Sequence, residues 1–187
     1  MMKRTCVAII ALALLPLFFT GCSSRPAVKP APPGKTVRII RHSDLPIKLD
    51  VKTRNREIGR FLVLINRYRA GKGLKPLTLD KKLQKAAQWM SEDMAAHDYL
   101  EHYDSKGRDP FVRMAAFGYN YNTYKAENVA AGQQTAAKVM QSWQNSKTHN
   151  VNMLNPNFTV IGIGFAYGKK SRFGWYWTTT FGGRKSR

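Results

Sequence analysis

Cysteine is nearly absent from this chain: Cys6 and Cys22 are the only two among 187 residues. That excludes a disulfide-dense secreted scaffold and a zinc module built on several cysteines. Carboxylates are scarce as well, with 11 Asp and Glu against 31 Lys and Arg, so the formal charge is +20. Histidine occurs only at positions 42, 97, 102 and 149. No apolar run reaches the roughly 18 residues that a membrane-spanning helix needs. The hydrophobic fraction of 43% is enough for a packed core and excludes a wholly disordered chain. The length fits one domain with appendages.

What is present begins with an address. Met1-Met2-Lys3-Arg4-Thr5 is a short basic start, and Cys6 to Phe19 is apolar for 14 residues with only Pro16 interrupting. This is the pattern of a secretory signal, too short to span a bilayer stably. The usual small-residue cleavage site is missing, and Leu17-Phe18-Phe19-Thr20-Gly21-Cys22 stands in its place. That stretch resembles a bacterial lipobox, with Phe19 where leucine is usual. The resemblance implies a signal peptide over 1–21 and a lipid anchor on Cys22, each buried CH₂ contributing about 0.8 kcal/mol. Cys6 then leaves with the signal, and no thiol remains for a disulfide or for catalysis. The alternatives are an ordinary secretory signal and a retained signal-anchor. The implied location is the bacterial cell envelope, at the outer membrane in a cell with two membranes.

Residues 22–56 read as a tether. They hold Pro26, Pro30, Pro32, Pro33 and Pro46, and nine Lys and Arg against Asp44 and Asp50. Pro-rich segments of this kind are semi-rigid spacers. Val37–Ile40 and Leu45–Val51 are apolar enough to dock locally as an extra strand. Residues 57–187 form the domain, which is also basic at net +11. Such charge suits anionic envelope lipids or wall polymers, at about 1 kcal/mol per well-placed basic residue. The alternative is a solvated surface without a specific partner. Nucleic acid is not an expected partner of an exported chain, and no obligate protein partner is evident.

Within the domain, Ile58, Phe61, Leu62, Ile65 and Tyr68 share one helical face, and Gly71-Lys72-Gly73 ends that helix. Asp80 is placed to cap a second helix, with Leu83, Ala87, Met90, Met94 and His97 on one stripe. Phe111–Phe117 reads as a short third helix stopped by Gly118. A fourth starts after Thr135, with Ala136, Val139, Met140 and Trp143 inward. The tail changes character: 158–167 and 175–181 are β-branched and aromatic, separated by a polar turn, which predicts an antiparallel hairpin. Trp175 and Trp177 alternate with Tyr176, so one strand face is expected to pack inward. Helices first and strands last argue for an α+β fold.

Glu127 stands out because Ala126-Glu127-Asn128-Val129-Ala130-Ala131-Gly132 is a small-residue stretch ill suited to a solvated charge, so its carboxylate should have hydrogen-bond partners. At this point an ordered set of motifs becomes recognisable. It comprises Asn66-Arg67-Tyr68-Arg69, Pro76-Leu77, Glu101-His102, Ala126 to Ala130, Trp143 to Leu154 and Gly162-Ile163-Gly164. Together they resemble the CAP superfamily of cysteine-rich secretory, antigen 5 and pathogenesis-related proteins, in its bacterial SCP-like branch, over about 57–183. The resemblance implies a three-layer α-β-α sandwich with a small antiparallel sheet and a cleft. Family members often carry two histidines and two acids there. The matching positions are His102, Glu127 beside Asn128, and His149; the fourth is Ser146 rather than an acid.

Two neutral imidazoles can converge on one ion, and zinc takes three or four ligands with nitrogen at roughly 2.0–2.1 Å. His102 and His149 are therefore candidate metal ligands for a weakly bound zinc, with Glu127, Asn128 and Ser146 around them. A structural hydrogen-bond network is the second reading of the same residues. A hydrolase of peptides or wall material is the third, with metal-bound water as nucleophile and Glu127 as general base. Ser146 alone reads as a cap or turn residue. His97 reads as a core or helix-end residue, and Tyr119 to Tyr124 as a loop covering the core. The preferred function is a binding or scaffold module whose cleft takes a divalent ion or a small hydrophobic ligand, the latter because eukaryotic family members bind sterols and fatty acids.

Overall fold

The structure is a computed structural model that describes residues 49–183. The signal segment, Cys22, His42, the expected strand at Val37–Ile40 and all but the last residues of the tether lie outside the described residues. Asp50 accepts hydrogen bonds from the Lys52 and Thr53 amides at 3.3 and 3.0 Å and so caps the first helix. That helix, α1, runs Val51–Ala70. It starts six residues ahead of the expected domain boundary at 57, because no proline lies between Pro46 and Pro76 and Asp50 supplies the cap. Ile58, Phe61 and Ile65 are buried, and the chain leaves the helix at Gly71.

A two-residue strand β1 (Thr78–Leu79) precedes α2 (Lys81–His97), which Asp80 caps. Next come α3 (Pro110–Ala116), β2 (Lys125–Ala131), α4 (Ala136–Asn145), α5 (Lys147–Met153), β3 (Val160–Tyr167) and β4 (Trp175–Gly182). The sheet order is β1-β3-β4-β2. The hairpin β3–β4 and the pair β2–β4 are antiparallel, but β1 runs parallel to β3 at Thr78↔Val160 and Leu79↔Ile161. The sheet is therefore mixed rather than wholly antiparallel.

Helices α2 and α3 cover one face, where Met90 and Met94 meet Val129 and Tyr176, and Met114 and Leu83 meet Tyr119 and Val160. Helices α1, α4 and α5 cover the other through Phe61, Ile65, Val139, Trp143, Met153, Ile163 and Trp177. These are the three layers of an α-β-α sandwich. The expectation that one face of β4 packs inward needs correcting: Trp177 is buried on one side and Tyr176 on the other, since a middle layer has no wet face.

Helix α2 lies almost on the backbone of β3. A Cβ added at Gly162 would stand 2.1 Å from the Leu83 carbonyl carbon, and one at Gly164 2.1 Å from the Ala87 carbonyl oxygen. The Gly162-x-Gly164 pattern thus serves close approach. Two glutamines of α2 pair with the part of β3 that β1 does not reach. Gln84 accepts from the Ile163 amide at 3.0 Å and donates to its carbonyl, and Gln88 does the same for Phe165 at 3.2 and 3.1 Å. These side-chain amides cover groups that a sheet edge would leave open.

Candidate functional site

The candidate site is organised around β2, an edge strand whose successive side chains point to opposite faces. The small-residue sequence of β2 disguises it as a strand; its pairing with β4 from Lys125↔Gly182 to Ala131↔Tyr176 decides the matter. Glu127 points to the α2–α3 side and is buried. Its Oε1 lies 3.0 Å from His102 Nδ1, and its Oε2 accepts from Arg113 Nη2 at 2.5 Å. Arg113, fully buried on α3, also stands 3.5 Å from Asp104 Oδ2 and donates from Nη1 to the His102 carbonyl at 3.3 Å. Arg108 Nε donates to Asp104 at 2.8 Å. One buried guanidinium therefore faces two buried carboxylates and holds both the side-chain partner and the backbone of His102.

Sequence reasoning missed Arg113 and Asp104. The available signal is the single cation in the otherwise apolar run Phe111–Phe117. It also missed Asp93, which fastens the loop leading through His102 to α2. Asp93 accepts from the Ser105 amide at 2.8 Å, from Ser105 Oγ at 2.6 Å and from the Tyr99 hydroxyl. Burial, and then the hydrogen bond to Asp93, push the Tyr99 phenol well above its ordinary value, so it stays protonated. His97 closes the last turn of α2, with Nδ1 2.9 Å from the Asp93 carbonyl oxygen.

On the opposite face of β2, Asn128 donates from Nδ2 to the His149 carbonyl at 3.0 Å, and Asn152 donates to Asn128 Oδ1 at 2.8 Å. His149 is in the first turn of α5, in a stretch whose composition suggests irregular backbone. Its poor helix formers, Thr, His and Asn, are held helical by tertiary contacts. Ser146 occupies the N-cap position, and its Oγ lies 2.7 Å from His149 Nδ1. The His149 ring stacks on Trp143 with centroids 6.0 Å apart. Burial first, then the charge of His102, lower the His149 pKa below its ordinary value, against an opposing backbone hydrogen bond at Val129. The ring is thus mainly neutral at pH 7.

The structure joins His102 to Glu127, and His149 to Ser146 and Asn128, with the two groups on either side of one edge strand. Among the described residues, no group of three or more His, Cys, Asp or Glu is placed to hold a metal ion. Both Glu127 oxygens are engaged by His102 and Arg113. Two imidazoles fall short of the three or four protein ligands of a resident zinc, so the set does not fit a closed metal centre. Each Glu127 oxygen has one partner of the roughly two it can accept.

The layers and the histidine pair astride β2 define the class. The family model for CAP, the cysteine-rich secretory protein family, matches residues 62–181. The chain belongs to this family and is a CAP-domain protein of the bacterial SCP-like type. It is 41% identical to the protein YkwD of Bacillus subtilis (strain 168) over 125 residues, 67% of this chain and 46% of that protein. The chain spans less than half the length of the curated relatives it matches. Among solved structures it is similar to an outer surface protein from Borrelia burgdorferi. There the TM-score is 0.66 at 22% identity, covering 75% of this chain and 100% of that one. It is also similar to an extracellular protein containing a SCP domain from Bacillus anthracis str. Ames. That match has a TM-score of 0.64 at 25% identity, covering 74% of this chain and 45% of that one.

Proposed function

We propose that this chain is an exported, lipid-anchored binding module of the bacterial envelope, whose cleft takes a small ligand between His102 and His149. The observation that carries the reading is the Glu127-Asn128 pair. Adjacent residues of one strand fasten the His102 ring on one face and the His149 backbone on the other. A divalent ion is the simplest ligand for two imidazoles. With water completing its shell, it is held weakly and exchanges. Export is supported by the signal-like start of the sequence and by relatives described as an outer surface and an extracellular protein. A second candidate place for a small hydrophobic ligand, apart from the histidines, is a groove of about 640 Å³ lined by Gly59, Val63, Leu64 and Ala137, with Glu57, Arg60, Arg67 and Thr135 at its polar side.

Zinc titration by calorimetry on residues 23–187 tests the cleft. Binding is expected at about pH 7.5 and should weaken at about pH 5.5, because protonated imidazole is no ligand. The paired substitution His102→Ala/His149→Ala should abolish it while leaving the circular dichroism spectrum unchanged. Wild-type protein that takes no zinc at the higher pH would leave these residues as a structural network.

A further inference from the structure

Away from the cleft, α3 leaves one face unpartnered. Arg113 and Met114 turn inward and are fully buried. Phe111, Val112, Ala115 and Ala116 are exposed, Phe111 at 49% and Val112 at 52%. This helix thus presents solvent with a face that carries no polar side chain, where a water-facing helix ordinarily carries charge.

The surround is basic and aromatic. Lys106 and Arg108 lie over the Trp89 ring, 5.6 and 4.7 Å from its centroid. Trp89 packs against Phe117, at the C-terminal end of α3, with centroids 6.3 Å apart. Lys82 lies beside Gly118 and over the Tyr121 ring at 4.8 Å. Lys85 shares a helical face of α2 with Lys82 and Trp89 by its spacing. Tyr103 and Tyr121 are exposed. Two of the three acids in 101–109 are committed elsewhere. Asp104 is buried against Arg108 and Arg113, and Asp109 accepts from the Phe111 and Val112 amides as the cap of α3. Glu101, in the loop before His102, is exposed.

We propose that the outer face of α3 docks on a bilayer carrying anionic lipids. Phe111 and Val112 enter the boundary between headgroups and acyl chains. Lys82, Lys85 and Lys106 meet the lipid phosphates, and Tyr103 and Tyr121 sit at the polar boundary. Charge decides the occupant. A second copy of this chain would bring the same three lysines against themselves, whereas an anionic surface complements them. Two inserted side chains bind a membrane only marginally by themselves, so this contact sets how an attached domain lies on the surface. The inference is independent of the cleft and of zinc but rests on the proposed attachment through Cys22, which co-sedimentation of the chain with the vesicles reads separately.

Peptide-resolved hydrogen exchange on the full chain, reconstituted with vesicles, reads this face separately from any N-terminal attachment. With phosphatidylcholine vesicles containing a quarter or so of phosphatidylglycerol, exchange over 108–117 should slow by at least about threefold. Pure phosphatidylcholine should leave it unchanged, and high salt should reverse the effect. Phe111→Ser/Val112→Ser removes side chains that are half exposed and outside the core clusters, so a circular dichroism spectrum like the wild type's is expected together with loss of the protection. Unchanged exchange in anionic vesicles overturns the proposal. So does equal protection in zwitterionic vesicles, and so does protection that appears without vesicles as protein concentration rises, which would assign the face to a second copy.

Discussion

Gly164→Ala is expected to destabilise this protein by at least about 3 kcal/mol, at or beyond the upper end for overpacking a core. The new methyl would stand 2.1 Å from the Ala87 carbonyl oxygen, 2.5 Å from its carbon and 2.6 Å from Ser91 Oγ. Two of those atoms are helix backbone, which cannot move without lifting α2 off the sheet. The surrounding bonds resist that movement. Ser91 Oγ donates to Thr178 Oγ1 at 2.9 Å, Thr180 Oγ1 donates to the Leu83 carbonyl at 3.1 Å, and Gln84 and Gln88 hold the β3 edge. Gly59→Ala supplies the control. Nothing lies within 4 Å of its added carbon, in the interior of α1, so there alanine should stabilise by about 0.5–1 kcal/mol. Urea denaturation of both variants checks the pair. Equal effects at the two glycines would show that α2 does not ride on β3 as described.

Arg113→Met should cost about 3–5 kcal/mol, the range for removing one partner of a buried ion pair. Methionine fills most of the volume, so the loss comes from charge. Glu127 and Asp104, whose side chains are 1% and 0% exposed, would be left buried without Arg113. The cause can be separated from packing by restoring neutrality. Asp104 keeps Arg108 as its partner at 2.8 Å, so Glu127 is the carboxylate to neutralise. Arg113→Met/Glu127→Gln removes that charge and should recover part of the stability that Arg113→Met loses. A double variant less stable than Arg113→Met alone would show that the loss is not electrostatic. Loss of Arg113 also frees the His102 carbonyl and the Glu127 carboxylate, so in any folded fraction the His102 ring should lose its fixed orientation.

The long amphipathic elements were legible in the sequence. Helices α1, α2 and α4 announce themselves through apolar spacing and caps at Asp80 and Thr135, and the β3–β4 hairpin through its β-branched and aromatic content. The elements that build the cleft were not. β2 is made of Lys, Ala, Glu, Asn and Val, a composition without strand character, and only its register against β4 makes it one. Strand β1 is two residues long and exists because β3 lies beside it. Helix α5 is short and rich in weak helix formers. Glu127, His102 and His149 could be nominated from spacing and family resemblance. Arg113 and Asp104 could not, because charges in a short helix and a loop read as solvated until packing places them inside, and Asp93 could not, because a carboxylate in a long helix reads as part of its wet face. The same limit applies to the exposed apolar face of α3, since Phe111 and Phe117 look alike in sequence yet only Phe117 packs against Trp89.

In the proposed site, β2 holds two histidines astride its edge as a single ligand pair. Imidazole ¹⁵N spectra of His102 and His149, recorded through a zinc titration, read both rings at once. Both should shift together with a single midpoint, and Glu127→Gln should weaken that midpoint by about tenfold by releasing His102. Shifts confined to one ring, or at two separate midpoints, would show that the two histidines do not share a ligand.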